Sequence, residues 1–393
     1  MVRDSVQLGR VAGVRVGLNW SLLIVAVLLG IGLAGSSLPS NAPGYDSWAY
    51  GVAGSLTAIA FLAAILAHEL GHAVVARRQG LAVDGITLWA LGGMTRIEGE
   101  APSPAGELRI SGIGPLVSLV LGLGLGGLGL ALGALGWSPL VAAGLAWLGA
   151  INLILAVFNL LPGAPLDGGR LLHAALWKHH GDRLRATETV SRAGWILGLT
   201  MVAVGFVGFA FAGFGGLWLA VVGWFLMTAS RAEQSQARLR HGLEGLRAAD
   251  LMTPDPVRGP GWLTVQSFLD DYVFAPHPAA FPIDAWSGGV SGVVTVKQLK
   301  SVPPALRGVR RALDVAWPLA RVPIVRPEQP AIEVAALMAQ WPSRRALVMD
   351  DDRLLGIISP ADLASRHAAD LHDDPRRRGP ATDLVRRGSQ NPT

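Results

Sequence analysis

Residues Val52 to His72 read VAGSLTAIAFLAAILAHELGH, and this stretch decides the fold of the chain. Residues 52–67 are almost entirely apolar, which predicts a helix that lies in a lipid bilayer. The three ionisable side chains at its end, His68, Glu69 and His72, are costly at membrane depth. Ionisable residues in such a position indicate a functional site by default.

The pattern HELGH predicts a metal site on this helix. His68 and His72 are four residues apart, so a helix presents both imidazoles on one face, where they can bind one Zn²⁺. Glu69 follows the first ligand and can act as a general base toward a water molecule held by the metal. The alternative is a pair of helix-end histidines at the level of the lipid headgroups. The apolar setting favours the metal site.

The composition is that of a membrane protein with a soluble second half. Of 393 residues, 51% are hydrophobic and only 16% are charged. Residues 1–230 contain nearly all the long apolar runs, whereas more than half of the charged residues lie in 231–393. The chain has no cysteine, which excludes disulfides and thiolate metal sites, so a transition metal must be held by His and carboxylates. The net charge of +5 comes without a basic cluster interleaved with aromatics, which argues against a nucleic-acid partner.

Six apolar segments predict transmembrane helices. They are Leu18–Ala34, Gly51–Ala76, Ile110–Leu135, Leu140–Leu161, Ala193–Phe211 and Leu217–Ala229. The loops 36–48, 136–139 and 212–216 contain no Lys or Arg, while the opposite loops carry the basic residues. Because basic residues collect in the cytoplasm, we predict a multi-pass protein of the plasma membrane with both termini cytoplasmic. HELGH then lies near the cytoplasmic end of the second span.

A β-hairpin is predicted between the second and third spans. Residues 83–97 place β-branched and aromatic side chains around Gly92-Gly93, which indicates a turn. The segment is too short to span a bilayer as a helix. Either it enters the membrane against a wet cavity, or it is an ordinary amphipathic hairpin on the surface.

Asp167 is the candidate for a third metal ligand, because catalytic zinc sites use three protein ligands. It lies in FNLLPGAPLDGGR, residues 158–170, on the same predicted side as HELGH, and prolines and glycines interrupt the helix around it. Its alternative role is a helix N-cap for the segment that starts at Gly168. Other candidates are less well placed: Asp46 is on the opposite side; Asp84, Glu98 and Glu100 flank the hairpin; His173, His179 and His180 belong to a basic amphipathic segment expected on the lipid headgroups.

HELGH on one span and N-x-x-P…LDG on another resemble the site-2 protease family of intramembrane metalloproteases. The stretch Gly114-Pro115-Leu116-Val117-Ser118 matches the small-residue motif of that family. The resemblance implies that His68, His72 and Asp167 bind one Zn²⁺ and that Glu69 is the general base. It also implies that the hairpin enters the membrane and pairs with an unwound substrate.

Two further positions follow from the same resemblance. Asn159 matches the family residue that helps to hold the substrate backbone or oxyanion. Ser118 stands where many members carry Asn, so we expect it to serve tight helix packing.

Residues 250–366 contain a weak internal repeat. One half runs from Asp250 to Leu299 and the other from about Val322 to Leu363, each alternating strands and helices. The repeat resembles a CBS-domain pair, which implies binding of ATP or AMP and formation of a homodimer. Ser359 and Asp362 match the phosphate and ribose contacts of that family, whereas Gln298 replaces the acidic residue in the first half. A purely structural module is the alternative.

The sequence therefore predicts a polytopic α-helical membrane protein with a membrane-associated β-hairpin and a soluble α/β CBS-pair domain. The expected parts are a metalloprotease domain (1–230), a linker (231–249), a tandem CBS-like regulatory domain (250–366) and a disordered tail (367–393). The predicted function is cleavage of transmembrane segments of membrane proteins by a zinc endopeptidase. A metal transporter or channel regulated by the CBS pair is the alternative.

Overall fold

Long apolar helices make up most of the first of two units, Met1–Ser235 and Gln236–Thr393. The computed structural model describes residues 6–90, 92–273, 279–286 and 288–364. The helices of the first unit are α1 (Trp20–Gly32), α2 (Leu38–Asn41), α3 (Ser47–Arg78), α4 (Pro104–Ala134), α5 (Pro139–Asn159), α6 (Asp167–His180), α7 (Arg183–Ala212) and α8 (Phe214–Leu243). A π-helical turn, Leu33–Ser37, joins α1 to α2.

Five helical segments within the described residues are long and apolar enough to cross a membrane. They are Trp20–Asn41, Ser47–Arg78, Pro104–Ala134, Pro139–Asn159 and Arg183–Phe211. Each corresponds to one of the first five predicted spans. Side chains cap several of these helices: Asn19 accepts from the amide of Ser21 at the start of α1, and Ser103 accepts from Gly106 at the start of α4.

The sixth predicted span lies in α8 but is not among these five segments. Its apolar part, 217–229, is short, and the same helix continues into a charged half that ends at Leu243. Glycines nevertheless bring α8 against α7: a Cβ added to Gly198 would lie 2.6 Å from the Gly223 carbonyl, and one added to Gly205 would lie 2.5 Å from the Ala220 amide. The segment 231–249, predicted as a linker, is thus helical through Leu243.

Small residues bring α4 and α5 together. A Cβ added to Gly149 would lie 2.5 Å from the backbone nitrogen of Gly126, and one added to Gly129 would lie 2.7 Å from that of Ala146. The glycine-rich sequence of the third predicted span therefore allows the close backbone approach that membrane helices use for packing.

A four-stranded sheet in the order β1-β2-β3-β4 lies at one end of these helices. Its strands are β1 (Val6–Val11), β2 (Val14–Leu18), β3 (Ala82–Trp89) and β4 (Gly92–Glu98). The β3–β4 hairpin is present as predicted, but Trp89 pairs with Gly92, so Gly92-Gly93 lies in β4 and does not form the turn. The β1–β2 hairpin was not predicted. The amide of Asn19 donates to the Leu88 carbonyl and thereby fixes the start of α1 to the sheet.

The second unit consists of two similar halves. Its elements are α9 (Ala248–Leu251), β5 (Thr253–Pro254), β6 (Gly259–Pro260), α10 (Val265–Tyr272), β7 (Ala280–Asp284), β8 (Val290–Thr295), α11 (Val296–Ser301), α12 (Pro304–Arg307), α13 (Ala312–Val315), β9 (Trp317–Pro318), a 3-10 turn (Leu319–Arg321), β10 (Ile324–Val325), α14 (Ala331–Gln340), β11 (Ala346–Asp350) and β12 (Arg353–Ile358). The sheets have the orders β6-β7-β8-β9 and β10-β11-β12-β5. The short strand that begins each half therefore joins the sheet of the other half. The predicted tail 367–393 lies outside the described residues.

Candidate metal centre

Two imidazoles and one carboxylate converge between α3 and the start of α6. The Nε2 atoms of His68 and His72 are 3.1 Å apart. The Oδ2 atom of Asp167 lies 3.2 Å from the first and 3.3 Å from the second. A tetrahedral zinc ion with ligands at about 2.05 Å separates them by roughly 3.3 Å, so the three atoms are already spaced as a zinc site requires. The predicted ligand triad is thus brought together by the fold.

The second nitrogen of each imidazole is held by α4. His72 Nδ1 lies 2.6 Å from the carbonyl oxygen of Ile110, which can only accept, so this nitrogen carries the proton and Nε2 offers its lone pair. His68 Nδ1 lies 2.9 Å from the hydroxyl of Ser118. The expected role of Ser118 in helix packing is therefore incomplete, because its hydroxyl also orients a ligand.

Gly114 leaves the space in which the ligands meet. A Cβ at this position would collide with Nε2 of His72 and would lie 2.6 Å from Nε2 of His68. His68 and His72 are only 5% and 8% exposed, so the site is walled off from bulk solvent. The neighbouring Gly71 would place a Cβ 3.4 Å from Ile113, which shows how closely α3 and α4 approach here.

Asp167 reaches the histidines because a helix begins at that residue. Helix α6 has Leu166 as its N-cap, so Asp167 is the first helical residue, and its side chain does not cap the helix. The predicted N-cap role is therefore wrong. The Oδ2 atom of Asp167 thus faces both Nε2 atoms and can serve as the third ligand.

Glu69 lies beside the triad and touches the β-hairpin. Its Oε2 atom accepts a hydrogen bond of 2.6 Å from the hydroxyl of Thr95 in β4. A Cβ added to Gly93 would lie 2.6 Å from Cδ of Glu69. Gly93 and Thr95 therefore form a surface that fits this one carboxylate. The sequence pointed to Gly93 only as part of a turn and gave no signal for Thr95.

Other candidate residues lie elsewhere. Asn159 is the last residue of α5. His173, expected in the wet headgroup region, is 8% exposed, and its Nδ1 lies 2.8 Å from Oε2 of Glu107. In the second unit, Asp362 Oδ2 accepts from the amide and the hydroxyl of Ser359, both at 2.7 Å. In the first half, Gln298 Oε1 accepts from the amide of Thr295 at 2.9 Å, so the two halves share one capping arrangement.

The donor set suits zinc and hydrolytic chemistry. Two neutral imidazoles and one carboxylate leave a fourth position open, which is the arrangement of catalytic rather than structural zinc sites. Glu69 follows His68 directly in α3, and its carboxylate is a group that can act as a base in such chemistry. Within the described residues, this is the one group of three or more His, Cys, Asp or Glu side chains close enough to hold a metal.

Comparison with known proteins finds a matching family profile in each of the two units. The profile of Peptidase family M50 matches residues 56–134 and 134–201, and the CBS domain profile matches residues 314–368. Rip3 of Mycobacterium tuberculosis, which carries a zinc metalloprotease name, is 41% identical over 365 residues, covering 92% of this chain and 93% of the relative. The similarly named sll0528 of Synechocystis is 30% identical over 380 residues, covering 92% and 95%. Among solved structures, the Site-2 Protease from Methanocaldococcus jannaschii is 27% identical, with a TM-score of 0.40, and the match covers 58% of this chain and 94% of that one.

Proposed function

The chain belongs to peptidase family M50, the site-2 protease family, and from this premise we propose that it is an intramembrane zinc endopeptidase that cuts transmembrane segments of other membrane proteins. The observation that carries the proposal is the meeting of His68, His72 and Asp167 beside Glu69. A metal transporter needs the ligands but has no need of a base in this place, so the arrangement favours hydrolysis.

The residues of the site divide the chemistry between them. A zinc ion bound by the triad supplies a Lewis acid that polarises a peptide carbonyl and makes water more acidic. Glu69 takes a proton from the attacking water and passes it to the leaving amine. Ser118 and the Ile110 carbonyl keep both imidazole rings in one orientation throughout.

The substrate is proposed to bind as an extended strand. A helical substrate hides its peptide carbonyls in its own hydrogen bonds, so the segment around the scissile bond must unwind first. Strand β4 ends the first unit's sheet and pairs only with β3 among the described strands, so its other edge can accept an extended backbone. The side-chain amide of Asn159 is the group we assign to holding that backbone or the oxyanion.

The proposed setting is the plasma membrane, crossed several times, with both termini in the cytoplasm. The support is the distribution of basic residues, which are absent from loops 36–48, 136–139 and 212–216. This topology makes the apolar half of α8 the sixth crossing and places HELGH near the cytoplasmic face.

The CBS-domain pair is proposed to bind ATP or AMP near Ser359 and Asp362 and to join two copies of the chain. Its support is the match of the CBS profile to 314–368 and the residue types at these two positions. Calorimetric titration of the purified chain with ATP and with AMP tests the first part. Absence of heat with both nucleotides would leave dimerisation as the only proposed role.

The substitution Glu69→Gln tests the proteolytic function. Zinc should remain bound because no ligand changes, and cleavage should stop because the base is lost. Membrane fractions of cells that express wild-type or variant chain are compared by mass spectrometry for fragments cut within transmembrane segments. Glu328→Gln, the same chemical change at an exposed position of the second unit, is the matched control and should cut like wild type. The same fragments in Glu69→Gln cells would contradict the proposal.

A further inference from the structure

We propose that Thr95 is a positioning residue for the general base: its hydroxyl, on the strand β4 whose free edge we assign to the substrate, holds the carboxylate of Glu69. The inference rests on the proposed proteolytic function and adds to it a physical connection between substrate recognition and catalysis. It assigns a role to a hydroxyl that stands outside the HELGH and LDG motifs.

The first observation is the contact itself. The Thr95 hydroxyl donates to Oε2 of Glu69 at 2.6 Å, and the Thr95 Oγ1 atom also lies 3.4 Å from the backbone carbonyl oxygen of Glu69. Hydrogen bonds to an ionised carboxylate are shorter and stronger than neutral ones. Thr95 therefore fixes one oxygen of the base, Oε2.

The second observation is that Gly93, on the same strand β4, leaves room for the carboxylate of Glu69. Gly93 and Thr95 are two residues apart in β4 and so point to one face of the sheet. At Gly93 a Cβ would lie 2.6 Å from Cδ and 2.7 Å from Oε1 of Glu69, so only a glycine admits the carboxylate in this position. Met94, which points to the other face, is 38% exposed. The face of β4 turned toward α3 is thus shaped around Glu69.

A base on a long side chain needs such a support. Glu69 has three rotatable bonds, and each must be fixed before the carboxylate meets the water at the correct distance. Fixing it in the folded enzyme removes that entropic cost from the reaction step. The residues around the imidazoles, Ser118 and Ile110, serve the metal ligands, whereas Thr95 serves the base.

The strand that holds the base also carries the free edge of the sheet. Thr95 pairs with Ile86 of β3 on one side, and among the described strands β4 has no neighbour on the other. An extended substrate that adds to this edge makes backbone hydrogen bonds with the same strand. The strand that would bind the substrate is therefore also the strand that holds the catalytic carboxylate through Thr95.

Steady-state kinetics of threonine variants test the inference. The substrate is a labelled transmembrane peptide. It contains a peptide bond that is cleaved in membranes with the wild-type chain and not in membranes with Glu69→Gln. Thr95→Val removes the hydroxyl but keeps the β-branched shape; kcat should fall by about 10- to 100-fold with KM changed by less than about twofold. Thr95→Ser restores the hydroxyl and should recover most of kcat. Gly93→Ala should also lower kcat, because the added methyl group pushes the carboxylate away while Thr95 remains.

Two measurements separate this role from a merely structural one. Zinc content and thermal stability of each variant should equal those of wild type. Thr87→Val makes the same chemical change in β3, where the hydroxyl accepts from Arg96, and should leave kcat almost unchanged. Equal losses in Thr87→Val and Thr95→Val, a rise in KM alone, or a Thr95→Ser variant as slow as Thr95→Val would overturn the inference. If no cut depends on Glu69, the proteolytic function itself has failed, which is a different outcome.

Discussion

At the scale of single residues, Gly114 is a position where even a methyl group would disturb the metal centre. The Nε2 atoms of His68 and His72 point at the place that a side chain at this position would fill. We predict that Gly114→Ala displaces both imidazoles and lowers bound zinc well below one ion per chain. Gly112→Ala, in the same helix, would place its methyl 3.7 Å from Leu171 and should keep the metal. Elemental analysis of the purified variants measures both, and equal zinc contents would contradict the prediction.

Ser118 and Ser111 give a second test on the same helix. Ser118→Ala removes the hydrogen-bond partner of His68 Nδ1, and the loss of such a partner lowers metal affinity by about 10- to 100-fold. The hydroxyl of Ser111 is buried without a partner among the described residues, so Ser111→Ala should leave zinc affinity unchanged. Competition with a chelator gives the two affinities. A chelator that strips both variants equally would exclude the orienting role of Ser118.

The sequence was sufficient for the ligands but not for the residues that support them. His68 and His72 follow from helical spacing, whereas Asp167 was one candidate on the predicted side of the membrane, and the resemblance to the family implies it as the third ligand. Thr95 and the Ile110 carbonyl meet the site only through the rotation and tilt of whole elements. No local pattern specifies those quantities, and the serine at 118 was accordingly assigned to packing alone.

At the scale of secondary-structure elements, a buried polar cluster joins α4, α6 and α7 away from the metal. His173 in α6 lies 2.8 Å from Glu107 in α4 and 3.1 Å from the hydroxyl of Thr187 in α7. Because α6 begins at Asp167, this cluster fixes the helix that carries the third ligand.

Replacing His173 should destabilise the first unit. His173→Ala leaves Glu107 buried without this partner, at a cost of about 1–3 kcal/mol, which corresponds to a melting temperature lower by several degrees. His179→Ala, at an exposed position of the same helix, should melt like wild type. Thermal unfolding in detergent compares the two variants. A melting temperature for His173→Ala equal to that of the control would show that the cluster does not hold α6.

In the four-stranded sheet of the first unit, the sequence pattern predicts one turn at the wrong residues and does not predict one hairpin. Gly92-Gly93 resembles a turn, because glycine is common in hairpin turns, but both residues lie in β4, where Gly93 makes room for Glu69. The β1–β2 hairpin was not predicted, although Gly13, with a φ of 77°, suits its tight turn. Its strand β2 pairs in parallel with β3, a long-range contact that a reading along the chain does not show.

At the scale of the whole molecule, the internal repeat predicted two similar halves of the second unit but not their exchange of strands. Strand β5 opens the first half yet pairs with β12 of the second, and β9 pairs with β8 of the first. The two-residue strands have too little sequence for any periodicity. Their exchange adds the fourth strand to each sheet and joins the two halves into one module.

The proposed cytoplasmic position of the C-terminus depends on α8. In the proposed topology, five crossings from a cytoplasmic N-terminus leave the chain outside, so the apolar half of α8 must form the sixth crossing. The close glycine contacts between α7 and α8 support a paired crossing, and the exposed Trp218 and Trp224 on α8 suit a lipid-facing surface. The charged residues that follow, beginning with Arg231, suit the cytoplasmic end of such a span.

Cysteine accessibility decides the topology, because the natural chain has no cysteine and a single introduced thiol reports one position. We predict that Ser138→Cys, in the loop between α4 and α5, reacts with a membrane-impermeant maleimide in intact cells. His180→Cys, at the end of α6, and Asp352→Cys, between β11 and β12, should react only after lysis, because the basic loops and the second unit share the cytoplasm. All three positions are exposed in the fold, so lack of reaction in intact cells reflects the membrane barrier. Labelling of Asp352→Cys together with Ser138→Cys in intact cells would mean that α8 does not cross and would contradict the cytoplasmic C-terminus.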